Sequence, residues 1–268
     1  MKPFASPQCA RVSLIIATYE WPEALDLVLA SACGQTWPDL EIVVADDGSK
    51  PATARVVAGW AARSPHPVLH VWQEDRGFRL ARSRNRAVDR ASGDYLLMLD
   101  GDCLLLPDFV ERHLRHAERG WFTAGRRCFL RRWMSQLALA RRAPLHALPK
   151  ALLFPLLLLG GGTRAAQLLP IPQTDAHRRA RAGDWEQAQG CNLGIWREDF
   201  MRVGGFDERF EAWGGEDTDL VVRLLGSGVS RLTLQHAEPV LHLWHPRRSK
   251  TVAAVAEAAP RHADRAAA

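Results

Sequence analysis

Residues 93–103 read GDYLLMLDGDC. Tyr95 to Leu99 is short, apolar and continuous, the mark of a strand buried on both faces of a parallel sheet. The run passes directly into Asp100-Gly101-Asp102. Two carboxylates one residue apart, at the end of a buried strand, can face one hard cation. Mg2+ or Mn2+ suits them, because such ions take oxygen ligands and bridge substrate phosphates. A plain Asp-Gly turn is the alternative; the position after YLLML weighs toward the metal.

Back toward the amino terminus the chain alternates. VSLIIA (12–17) reads as a buried strand, Glu23 to Cys33 as a helix and EIVVA (41–45) as a second strand, closed by the turn residues Asp46-Asp47-Gly48-Ser49. Thr53 to Ala62 reads as a helix, Val68 to Trp72 as a strand and Leu80 to Ala91 as an arginine-rich helix. Strands alternating with helices predict an α/β fold with a right-handed, doubly wound parallel sheet. Ligands of such sheets lie beyond the carboxyl ends of the strands. Thr18, Asp46, Asp47, Asp100 and Asp102 then share one rim.

Past Leu106 the alternation stops. Asp108 to Arg119 reads as a helix, Gly190 to Trp196 as a strand and Asp217 to Leu225 as a helix, and the alanine-rich tail from Thr251 is expected to be loosely ordered. Between them, Arg126 to Leu169 is rich in leucine, basic residues and proline. No acidic residue occurs between Glu118 and Asp175, although the whole chain carries a net charge of only +5. Such a block suits a phosphate-rich partner, an anionic membrane surface or a nucleic acid. Its longest apolar run, Ala151 to Leu159, is broken by Pro155 and too short to span a bilayer. In-plane attachment is one reading; a helical cap over the site or a dimer interface is the other. Arginines without a recognised module do not point to nucleic acid. The five cysteines form no CxxC pair. That argues against a disulfide framework or a zinc site and suits a reducing cytosol. Met1 to Ala10 lacks the apolar stretch of a signal peptide.

Two further clusters carry chemistry. Trp213-Gly214-Gly215-Glu216-Asp217 precedes the last helix, and Asp219 follows. Acidic residues favour a helix N-terminus, so Asp217 reads equally as a cap or as a general base whose neighbours raise its pKa. His242 and His245 lie in VLHLWHP. Positions three apart on a strand face opposite ways, so at most one is expected to enter the site. Arg76, Arg79, Arg82, Arg84 and Arg86 crowd the helix from Leu80. Arg79, Arg82 and Arg86 share a face and could clamp a diphosphate.

Together these segments resemble family 2 glycosyltransferases. VSLIIATYEWPEALDLVLAS, IVVADDGS and GDYLLMLDGDC are similar to the family's nucleotide-binding half. GCNLGIWREDFMRVGGFDERFEAWGGEDTDLVVRLLGSG resembles its acceptor half, and that block also resembles the galactosyltransferases and polypeptide N-acetylgalactosaminyltransferases. The resemblance implies a GT-A fold: one Rossmann-like catalytic domain on a mostly parallel sheet, here with a basic, leucine-rich helical insert. It divides the chain into a nucleotide-sugar-binding half (1–110), the insert (111–185), an acceptor-side half with the base (186–250) and a flexible tail (251–268).

It also implies roles. Ala17, Thr18 and Asp46 would contact the nucleoside, with Asp47 nearby, and Arg82 the ribose or phosphates. Asp100 and Asp102 would be the DxD pair, with Asp102 the direct ligand of Mn2+ or Mg2+ and His242 the later histidine ligand. Asp217 would be the base of the Glu216-Asp217 pair. Trp213, Gly214 and Gly215 would border the sugars. The implied activity is inverting hexosyl transfer from a nucleoside diphosphate sugar, by default a UDP-hexose, to a glycan or lipid-linked glycan in envelope or lipopolysaccharide synthesis. The implied location is cytoplasmic, or peripheral on the inner face of the plasma membrane. A nucleotidyltransferase would need a glycine-rich, lysine-bearing phosphate loop that the amino-terminal segment lacks. A non-catalytic scaffold of the same fold would not need Asp102 and Asp217.

Overall fold

The structure is a computed structural model that describes residues 11–246, apart from 170, 187, 237 and 238. Met1 to Ala10, Cys9 and the tail from Thr251 therefore lie outside the described residues.

The first half alternates as expected: β1 (Val12–Thr18), α1 (Pro22–Cys33), β2 (Leu40–Asp46), α2 (Pro51–Ala61), β3 (Val68–Trp72), α3 (Leu80–Arg90) and β4 (Tyr95–Asp100). Both α1 and α2 start on a proline, ahead of the Glu23 and Thr53 expected from apolar spacing. Proline suits that position, since its fixed φ fits a helix and its missing N–H would have had no partner there. The second half runs β5 (Cys103–Leu104), α4 (Phe109–Arg115), β6 (Trp121–Ala124), β7 (Arg127–Leu130), α5 (Arg132–Arg141), α6 (Lys150–Leu156), β8 (Gly162–Thr163) and α7 (Asp175–Arg179). It closes with β9 (Asn192–Trp196), α8 (Arg197–Arg202), α9 (Glu216–Gly226), β10 (Ser230–Thr233) and β11 (Val240–His242).

A seven-stranded sheet has the order β10-β6-β9-β4-β1-β2-β3. It is parallel except at β9, which runs against both neighbours. A second sheet, β5-β11-β7-β8, stands beyond the end of β4. Every residue of β1 and β2 is buried. Successive strand residues face opposite ways, so Leu14 and Ile16 enter one apolar layer and Ile15 the other. The first layer holds α1. The second holds Ala81, Ala87 and Val88 of α3 with Leu220, Val221 and Leu224 of α9. Helices far apart in sequence thus share one face of the sheet, and their ends meet at its rim.

Residues 111–185, expected as a helical insert, also supply β6 to the main sheet and β7 and β8 to the small one. The leucines divide by face. Leu145, Leu153 and Leu157 join the first apolar layer with Met134 and Ala138. Leu152, Leu158 and Leu159 are exposed, Leu159 by 85%. This segment is therefore core on one side and bare apolar surface on the other. Leu153→Ala should cost about 2–5 kcal/mol by opening a cavity. Leu159→Ala should stay within about 0.5 kcal/mol. Urea unfolding of the two variants checks the division; equal losses would refute it.

Candidate active site

The chain order reverses between β1 and β4, and parallel register sets their ends side by side. Ala17 pairs with Asp100, and Thr18 with Asp46. Such a switch point leaves a crevice beyond the strand ends. Gly101 turns the chain there, its N–H 2.7 Å from the Ala17 carbonyl. A Cβ on Gly101 would stand 2.8 Å from that oxygen, closer than carbon packs.

On the β2 side, both acids of the turn are engaged. Asp46 accepts from the Ser49 N–H at 2.8 Å and meets His70 Nε2 at 2.8 Å. Asp47 accepts from Gln73 Nε2 at 2.6 Å and from the Arg79 N–H at 2.8 Å. Burial raises the Asp47 pKa against those bonds. The pair thus holds the turn that borders the crevice.

The centre of the site is Arg84. Its Nη2 donates to Asp100 at 2.8 Å and its Nη1 to Asp217 at 2.8 Å, with Glu216 Oε1 3.7 Å away. The guanidinium is fully buried. Burial alone would lower its pKa, but Asp217, Asp100 and Glu216 offset this and raise it. The second oxygen of Asp217 accepts the Gly190 N–H at 2.9 Å. A Cβ at position 190 would lie 2.3 Å from Asp217 Oδ1 and 2.9 Å from Arg84 Nη1 and so would displace that pair. Glu216 is buried with Oε2 unpartnered among the described residues. Desolvation first, then the Asp217 charge, pushes its pKa up to about 7. Gly215 opens α9 at φ +104°, a left-handed conformation that turns Glu216 and Asp217 inward.

Asp102 belongs to a separate group. Its Oδ2 lies 3.6 Å from His242 Nε2 and 3.4 Å from His245 Nε2. Burial lowers the His242 pKa, which favours the neutral ring. The expectation that only one histidine enters fails here. β11 ends at His242, so the two-fold alternation of a strand no longer governs His245. A carboxylate and imidazole nitrogens close to one another are a donor set that fits a divalent cation. Asp100, the other half of the DxD pair, is held by Arg84 and remains 35% exposed.

Among the α3 arginines, Arg82 is half exposed, its Nε 3.9 Å from Glu208, while Arg79 is buried with Nη2 on the Glu74 carbonyl. The guanidinium among the carboxylates is that of Arg84, which the sequence reading did not single out. A signal existed. Ala81, Arg84 and Val88 fall on the apolar stripe of α3, where a charge needs buried partners. Trp213 stands partly exposed before α9, beside Gly214.

Comparison with known proteins agrees with this architecture. The model of glycosyl transferase family 2 matches residues 13–130, and that named N-terminal domain of galactosyltransferase matches residues 177–246. A validoxylamine A glucosyltransferase of Streptomyces hygroscopicus subsp. jinggangensis is 32% identical over 235 residues, 85% of this chain and 54% of that protein. A chondroitin synthase of Escherichia coli is 26% identical over 249 residues, 85% of this chain and 35% of its own length. The chain thus spans about half the length of the Streptomyces relatives. Among solved structures, the mannosyltransferase PcManGT of Pyrobaculum calidifontis, in complex with GDP-Man and Mn2+, superposes with a TM-score of 0.60 at 19% identity. That match covers 92% of this chain and 61% of that one, a likeness of fold. The architecture is the GT-A α/β fold.

Arg84→Met should strand three acids around an apolar side chain and cost about 3–5 kcal/mol at pH 8. Glu216, with its pKa raised when folded, contributes stability in acid that is lost as pH rises from its ordinary 4.5 through about 7. The Arg84→Met deficit should therefore shrink at pH 5, where Glu216 is neutral. A deficit that does not change between pH 5 and pH 8, measured by urea unfolding with chelator present, would contradict this electrostatic account.

Proposed function

We propose that this chain, whose residues 13–130 match the model of glycosyl transferase family 2 and which is 32% identical over 235 residues to a validoxylamine A glucosyltransferase, is a metal-dependent, inverting transferase using a nucleoside diphosphate sugar. The observation that carries the reading is the Arg84 bridge. An acceptor-side carboxylate, Asp217, and the first DxD carboxylate, Asp100, each lie 2.8 Å from one buried guanidinium at the switch-point crevice.

Asp217 is the general base. Arg84 and Gly190 hold one proton-accepting site on each of its oxygens, and each carboxylate oxygen has a second lone pair to offer. The acceptor hydroxyl gives its proton to Asp217 as its oxygen bonds to the anomeric carbon. The bond from that carbon to the diphosphate oxygen breaks, with inversion. Glu216, with one buried oxygen unpartnered, orients a sugar hydroxyl. Asp102 and His242, with Asp100, would hold Mn2+ or Mg2+, which when bound supplies positive charge against the departing diphosphate. Ala17, Thr18, Asp46 and Asp47 border the nucleoside, Arg82 approaches the ribose or phosphates from the open side, and Trp213, Gly214 and Gly215 line the sugar subsites. A UDP-hexose donor and a glycan or lipid-linked acceptor of envelope or lipopolysaccharide synthesis complete the reading.

Asp217→Asn should lower turnover by about 100-fold or more while donor binding changes little. Asp102→Ala should abolish transfer with the fold intact. Normal turnover in Asp217→Asn together with a dead Glu216→Gln would move the base to Glu216. Full activity of Asp102→Ala in chelator would end the metal reading.

No helix among the described residues is long and apolar enough to cross a membrane. Peripheral attachment to an anionic inner leaflet is supported by the exposed apolar residues of the basic 126–169 segment. Trp133, Leu137, Leu152, Leu158 and Leu159 are exposed there, on a segment without acids, beside the exposed Arg131 and Arg141. Basic residues near such a leaflet contribute about 1 kcal/mol each. The protein should sediment with anionic liposomes at low salt and be released by high salt. Binding should fall in Arg131→Gln/Arg141→Gln and in Leu158→Asp/Leu159→Asp. A wild-type protein that stays in the supernatant at low salt would refute attachment.

A further inference from the structure

Cys103 follows the DxD pair, and its position needs explanation. It is fully buried in β5, opposite His242 in the antiparallel pair β5–β11. Directly opposed residues of such a pair put their side chains on the same face, with Cβ atoms about 5 Å apart. The residue borders the first apolar layer, yet its Sγ donates to Asp102 Oδ1 at 3.3 Å. Donor atoms of Asp102, Cys103 and His242 all lie within 4.8 Å of one another, the only such group of three or more among the described residues. His245 Nε2, 3.4 Å from the other oxygen of Asp102, stands beside them. An ordinary magnesium site would have no use for a sulfur here, because carboxylate and water suit that ion, whereas thiolate and imidazole suit zinc and its relatives.

We infer that Cys103 is a sulfur ligand of this centre and makes it a site for thiophilic divalent cations, Zn2+, Cd2+ or Co2+. The inference rests on the reading of Asp102 and His242 as metal-holding residues and adds a ligand that the DxD pattern does not contain. On binding, a metal–sulfur bond forms and the thiol proton passes to solvent, so affinity climbs with pH. One oxygen, one sulfur and up to two nitrogens approach the four-donor set of a closed zinc site. A cation so held has fewer positions left for phosphate oxygens, so Zn2+ should occupy the centre without supporting turnover as Mn2+ does.

The test is spectroscopic and needs no turnover. The chelator-stripped full chain is titrated with Cd2+ or Co2+ and scanned for the near-ultraviolet charge-transfer band of a metal thiolate. The band is expected in the wild type and in Cys191→Ser, and absent in Cys103→Ser. Loss of an outer-shell partner alone costs about 10–100-fold in metal affinity, so loss of this direct ligand should weaken Cd2+ binding by at least about 100-fold. Mn2+ binding should change much less. Should Cys103→Ser not fold, Cys9→Ser, Cys33→Ser, Cys128→Ser and Cys191→Ser, made singly, must each keep the band. Loss of the band in any of those, or its persistence in folded Cys103→Ser, overturns the inference. Mn2+ binding with no Cd2+ band in the wild type also overturns it and leaves the transferase reading standing; no divalent binding at all overturns both.

Discussion

Arg84 carries a charge that water does not reach, and the site is organised by what that charge requires. An unpaired guanidinium in the interior would cost several kcal/mol, so it must be met by acids with good geometry. Those acids come from segments more than a hundred residues apart: Asp100 at the end of β4, and Glu216 and Asp217 at the start of α9. The two apolar layers make the meeting possible. α3 and α9 pack on the same face of the main sheet through Ala81, Val88, Leu220 and Leu224, and their rim-side ends converge over β4. The hydrophobic effect supplies the adhesion and the ion pairs supply the register.

This knot also sets the electrostatics of the crevice. One guanidinium faces three carboxyls, and desolvation first, then the Asp217 charge, raises the Glu216 pKa to about 7. Gly190 closes the arrangement from behind, contributing an N–H and, by lacking a side chain, the room for Asp217 and Arg84 to touch. Asp102 stands outside this pairing with His242, His245 and Cys103. The two aspartates of one short motif therefore have different surroundings, Asp100 paired with Arg84 and Asp102 beside two histidines and a thiol.

Much of this was legible in the chain. Continuous apolar runs and helical apolar spacing state their own local geometry, so β1 to β4, α1 to α3 and the acidic rim follow from spacing alone. The segment after Leu106 was less legible because its strands other than β9 have two to four residues, too few for a period to appear. The division of the insert leucines between core and surface was hidden for the same reason: Pro149 and Pro155 break the helical phase that would have sorted them.

What the sequence determined by itself was the doubly wound sheet, the edge on which polar residues gather and the residue types available there. Tertiary structure alone decided which of five arginines turns inward to Asp217, that both histidines reach Asp102 once the strand has ended, and that Cys103 shares a face with His242. The absence of a CxxC pair could not reveal that thiol, since its partner lies 139 residues away across a strand pair. Periodicity records the geometry of a residue's own backbone. Which distant side chains meet depends on how whole layers pack, and that is a property of the assembled core.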